Sequence, residues 1–107
     1  MPTDPKTLDQ AYKLVLDDLM KMFLKKHKDY GKGNILSVGE LGIAMRVTEK
    51  IERIKNLLMK GGGKAPANES VEETWTDIAV YAIIAILHMR GQFQSLEVDH
   101  TVLDQVK

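Results

Sequence analysis

The chain has 107 residues, 44% of them hydrophobic, with fifteen Lys and Arg balanced by fifteen Asp and Glu and no cysteine. This length and apolar fraction describe a single globular domain, residues 1–107, with enough material for a core. Charge neutrality removes the electrostatic warrant for duplex nucleic acid or an anionic membrane as the main partner, and the lack of cysteine excludes disulfides, thiolate metal sites and cysteine nucleophiles. The opening Met1-Pro2-Thr3-Asp4-Pro5 has neither the basic nor the apolar region of a secretion signal, and the longest apolar run, residues 78–87, is too short to span a bilayer. The expectation is a cytoplasmic protein with no membrane contact.

Hydrophobic periodicity predicts three main helices. In the first, Thr3 or Asp4 serves as N-cap with Pro5 just inside, and Leu8, Ala11, Tyr12, Val15, Leu16, Leu19, Met20 and Phe23 recur at helical spacing. It is expected to stop near Lys28, because Asp29-Tyr30-Gly31-Lys32-Gly33-Asn34 is turn chemistry. The second opens on a capping-box spelling, Ser37-Val38-Gly39-Glu40, followed by a stripe from Leu41 to Leu58. Gly61-Gly62-Gly63-Lys64-Ala65-Pro66-Ala67 then makes a connection of the length that joins two antiparallel helices. The third has its own capping box, Ser70-Val71-Glu72-Glu73, and runs to about Arg90. Its later part is apolar almost all round, which demands enclosure on every face, so a dimer or tetramer is expected. Residues 92–107 form either a short docking helix or an arm exchanged between subunits. The predicted fold class is all-α: a helical bundle with core residues about 5–90, helices two and three antiparallel, completed by oligomerisation.

The candidate chemistry lies where helices two and three face each other. Glu49 and Glu52 are three residues apart, Glu73 and Asp77 four apart, and both spacings place a pair on one helix face. Gathered carboxylates repel unless a hard divalent cation, Mg²⁺ or Mn²⁺, sits between them, and such an ion holds a triphosphate and helps a carboxylate activate water. The plainer reading of these acids is solvated ion pairs with Lys50, Arg46 and Arg53. Asp77 stands apart because it directly precedes the apolar run, where a buried charge needs a metal or a partner such as Arg53 or Arg46. Lys25, Lys26, Lys28 and Lys32 crowd the end of helix one. They either oppose its dipole or clamp phosphate, with Tyr30 stacking on a base and Asn34 reading it. Trp75 reads as a core or interface anchor, and the three histidines have no ligand spacing, which argues against zinc.

These residues carry a family resemblance. Glu49-x-x-Glu52, a spacer, and an acidic pair opening an apolar helix resemble the all-α nucleoside triphosphate pyrophosphohydrolases of the MazG and dimeric dUTPase group. More closely, Lys28-Asp29-Tyr30-Gly31, then Arg46 and Glu49-Lys50-Ile51-Glu52-Arg53, then residues 69–84 with Thr76-Asp77-Ile78-Ala79-Val80-Tyr81, are similar to the nucleotide modification associated domain found largely in bacteriophages, over roughly residues 20–90. The resemblance implies an all-helical nucleotide-handling protein of the host cytoplasm. From the pyrophosphohydrolases it implies Mg²⁺ held by Glu49, Glu52, Glu73 and Asp77 and cleavage between the α and β phosphates, releasing a nucleoside monophosphate and pyrophosphate. Lys28, Lys32, Lys50 and Arg53 would then steady the phosphates, and Arg46 joins Tyr30 and Asn34 among the expected substrate-binding residues. One departure matters: strict register puts Thr74 where the pattern has an acid. The alternatives are a non-catalytic nucleotide binder using the same cleft and a helical oligomerisation module.

Overall fold

The structure, a computed structural model, describes residues 4–61 and 65–106, and every regular element among them is helical. Three long helices, α1 (Leu8–Tyr30), α2 (Gly33–Gly61) and α3 (Ala65–Met89), are followed by two short ones, α4 (Gln92–Ser95) and α5 (His100–Asp104). The all-α architecture with three main helices is as the sequence predicts.

The helix ends are set by different residues from those expected. Asp4 and Pro5 lie ahead of α1, and Thr3 falls outside the described residues. Thr7 is the N-cap instead: its backbone is extended and its hydroxyl accepts from the Gln10 N–H at 3.4 Å. The Gln10 side-chain carbonyl accepts from the Lys6 N–H at 2.9 Å, one residue ahead of the cap, so Thr7 and Gln10 together fasten the helix start. At the other end α1 runs on through Asp29 and Tyr30, stopping only at Gly31, whose N–H bonds the His27 carbonyl at 2.8 Å. Gly31 has φ 66° and ψ −152°, a region open in practice to glycine alone, so a tight corner of Gly31 and Lys32 replaces the longer predicted turn.

The Ser37–Glu40 capping box does not form. Helical backbone begins earlier, at Gly33, and the Ser37 hydroxyl donates to the Asn34 carbonyl at 3.0 Å. The interruption falls at Gly39 (φ 66°, ψ −165°), which kinks α2 between a short opening segment and its long remainder. Ser70 likewise lies inside α3, which starts five residues earlier, at Ala65. Of the predicted glycine connection, Gly62, Gly63 and Lys64 lie outside the described residues.

Two sets of contacts fix the directions of the helices. Lys50 meets Asp77 and Tyr81 while Arg46, one turn earlier, shares a cleft with Tyr81 and Ile84, so α2 and α3 run antiparallel as predicted. Lys26 meets Asp77 whereas Leu16 and Leu19 share a groove with Ile83 and Leu87, so α1 is also antiparallel to α3. Leu19, Ile35, Ile43, Val80, Ile84 and Phe93 form the buried core, with Ile43 only 2% exposed. Phe93 brings the C-terminal segment into that core, and the segment packs on its own α1. Trp75, expected to be an anchor, is half exposed, whereas Thr74 beside it is buried. Among the described residues no helix is long and apolar enough to cross a membrane.

Candidate functional site

The α1–α2 corner creates a cleft. Gly31 turns the chain so that Tyr30 and Asn34 stand at the rim, facing a wall from α3. The cleft, about 90 Å³, is lined with aromatic rings (Phe23, His27, Tyr30, Tyr81, Phe93) and with the charged groups Lys26, Arg46 and Asp77. Phe23 stacks on His27 at 5.4 Å between ring centroids, and Phe93 meets His27 edge-on at 6.3 Å. Phe23, His27 and Phe93 therefore form one packed aromatic surface.

At the charged side, Asp77 is the hub. Lys26 Nζ donates to its Oδ1 at 2.8 Å from α1, and Lys50 Nζ donates to its Oδ2 at 3.2 Å from α2. Partial burial pushes the Asp77 carboxyl up, but the two ammonium hydrogen bonds and the two positive charges outweigh it and hold the group below its ordinary value. Lys50 also sits 5.9 Å above the Tyr81 ring, within cation–π range. The expected partners of Asp77 were Arg46 and Arg53, yet lysines take both its oxygens. Arg46 is left in the cleft wall, half-buried, with no hydrogen bond or ion pair among the described residues.

The other candidate residues distribute as follows. Tyr30 and Asn34 line the cleft. Lys28 and Lys32 turn instead to the C-terminal segment. Lys28 Nζ donates to the Val106 carbonyl at 2.8 Å, and Lys32 Nζ donates to the Leu96 carbonyl at 2.6 Å and pairs with the Glu97 carboxylate. That ammonium holds the Glu97 carboxyl below its ordinary value. Glu52 pairs with Lys55 at 3.4 Å, and Glu49, Glu73 and Arg53 are exposed on their helices. Among the described residues, no three His, Asp or Glu groups come together as a cation would need. Both Asp77 oxygens are occupied by ammonium groups, so the four acids in this arrangement do not fit a gathered Mg²⁺ site. The buried position of Thr74 supplies a physical reason for its identity, since an acid there would leave water.

His27, Tyr81, Phe23 and Phe93 are cleft residues that sequence reasoning did not place in the site, whereas Lys26, one of the basic cluster at the end of helix one, does line it. Three of these were within reach. Tyr81 lies four residues after Asp77 and so shares its face, and Phe23, His27 and Tyr30 recur at i, i+4 and i+7. Phe93 arrives only because the chain folds back, which no local spacing encodes.

The cleft thus brings together aromatic rings, a guanidinium with no hydrogen-bonding partner among the described residues, and a carboxylate bridged by two ammonium groups. The sequence profile of the family described as nucleotide modification associated domain 1 matches residues 26–89, and the chain belongs to that family. Neither the curated proteins nor the solved structures contain a match to it.

Proposed function

We propose that this protein binds a nucleotide in the cleft between α1, α2 and α3, with the phosphate on Arg46 and the base against the aromatic wall. The observation that carries this reading is Arg46: a guanidinium held in a cleft wall with no partner among the described residues offers its donors to an anion. Lys26 and Lys50 stand next to it with Asp77 as their counter-ion, so an arriving phosphate finds two further ammonium groups a short rotation away. Tyr30 and Asn34 at the rim supply a stacking face and an amide able to read a base edge. All these residues fall within the matched span of the family.

Mg²⁺ or Mn²⁺ enters this reading as the companion of the nucleotide's own phosphates, with Asp77 the acid nearest to them. Pyrophosphohydrolysis asks more, because Glu49, Glu52 and Glu73 would have to leave their exposed positions and join Asp77. Calorimetry with nucleoside mono- and triphosphates, with and without Mg²⁺, tests binding, and pyrophosphate release in the same mixtures tests turnover. Micromolar binding without release is the expected result. Release that disappears in Glu49→Ala and Asp77→Ala would replace the binder with a hydrolase, and absence of both signals would remove the nucleotide reading altogether.

A further inference from the structure

The apolar face of α1 continues past the helix that covers it. Leu16, Leu19 and Phe23 pack toward Val80, Ile83 and Leu87 of α3, but α3 ends at Met89, just beyond the level of Leu16. The first two turns of α1 therefore overhang, about 12 Å at 1.5 Å per residue. Their stripe stays apolar nonetheless: Leu8 is 85% exposed, Tyr12 66%, Val15 56% and Met20 59%. Ile83 and Ile86 on α3 extend the patch, and an apolar groove of about 290 Å³ runs along it between Leu16, Met20 and Leu87.

We infer that this face is the docking surface for a second copy of the chain, with the two α1 helices crossing antiparallel near Val15. Two observations select that occupant. The exposed area of these side chains is on the order of 700 Å², close to the ~800 Å² that each partner contributes to a standard stable interface. The second is charge. Beside the apolar row Leu8, Tyr12, Leu16, Met20 lies the row Asp9, Lys13, Asp17, Lys21, which alternates in sign. Reversed about Val15 it becomes its own complement: Asp9 faces Lys21 of the other copy, and Lys13 and Asp17, which pair at 3.4 Å within one helix, can exchange partners across the contact. An isologous two-fold contact needs this self-complementarity, and a generic hydrophobic partner does not. The groove shares Phe23 and Val80 with the nucleotide cleft, so the second copy backs the wall of that site. The inference itself does not depend on what the cleft binds.

Sedimentation equilibrium on the full chain tests it. The expected mass is twice that of one chain in the micromolar range, and a chain still monomeric at about 100 μM, where an interface of this size should be assembled, overturns the proposal. Leu16→Glu and Tyr12→Glu alter exposed side chains, so far-ultraviolet circular dichroism should be unchanged while the dimer dissociation constant rises at least a hundredfold. An assembly of unchanged mass in both variants places the contact elsewhere and overturns it too. Charge exchange tests the antiparallel pairing: Lys21→Asp should weaken association about tenfold and the double variant Asp9→Lys, Lys21→Asp should restore it. Failure of that rescue overturns the crossing.

Discussion

Arg46 and Asp77 show how much turns on one side chain's partner. Because Arg46 bonds to no described residue, its guanidinium adds nothing to fold stability through hydrogen bonds, and Arg46→Gln should leave the melting temperature within a degree or two. The same substitution should weaken nucleotide binding about 10- to 100-fold, the equivalent of one charge-assisted hydrogen bond of about 1.5–3 kcal/mol, measured by calorimetry. Asp77 predicts the opposite pattern. Its carboxyl titrates below its ordinary value of 3.8, so the stability it contributes is present above that value and is lost as pH falls through the lower, folded-state value. Asp77→Asn leaves Lys26 and Lys50 facing one another and should cost about 1 kcal/mol at neutral pH, a modest figure because the group is partly solvated. The gap between wild type and variant, followed by thermal melts, should close below pH 3.8. The importance of Asp77 was legible in its position before the apolar run. Its partners were not, because choosing between lysines and arginines of similar spacing requires the register of α2 on α3.

At the scale of elements, glycine decides what periodicity cannot. The apolar stripes correctly announce three long helices, but the caps follow backbone geometry that short spellings only suggest. Ser37-x-x-Glu40 and Ser70-x-x-Glu73 both read as helix starts and neither acts as one, whereas Thr7-x-x-Gln10 does. Gly39 takes the break in α2 because its φ of 66° with ψ of −165° excludes a side chain at little cost only in glycine. Gly42 follows from that kink: a Cβ there would lie 2.2 Å from Val38 Cβ. Gly39→Ala should therefore destabilise the fold by about 1–3 kcal/mol through backbone strain. Gly42→Ala should cost about 1–3 kcal/mol through overpacking against Val38. Denaturant titrations measure both. A neutral Gly42→Ala would mean that the short opening segment of α2 swings away from the long one.

For the whole molecule, fold class and helix order were legible because two amphipathic stripes, one helix apolar on almost every face and one glycine-rich break leave few alternatives. The acidic cluster was not, since shared spacing on two helices does not bring their faces together. Glu49, Glu52 and Glu73 are exposed while Asp77 alone turns inward to the lysines. Lys28 and Lys32, expected as a phosphate clamp, instead fasten the last segment to α1, a long-range contact without local signature. Enclosure of α3 remains incomplete in one chain, with Ile83, Ile86 and Met89 exposed.

The aromatic walls of the cleft have a consequence for the boundaries of the unit that folds. Phe23 and Phe93 stand outside the matched residues 26–89 on opposite sides, and so does Leu19 of the core. A fragment cut to 26–89 keeps Arg46, Lys50 and Asp77 but loses Leu19 and Phe93, two of the seven buried hydrophobic residues among those described, and the ring on which His27 stacks. Such a fragment should melt without a cooperative transition in circular dichroism. The span that family members share is thus shorter than the span that makes it a structure: the shared part carries the charges, and the flanks, seventy residues apart in sequence, close the walls around them.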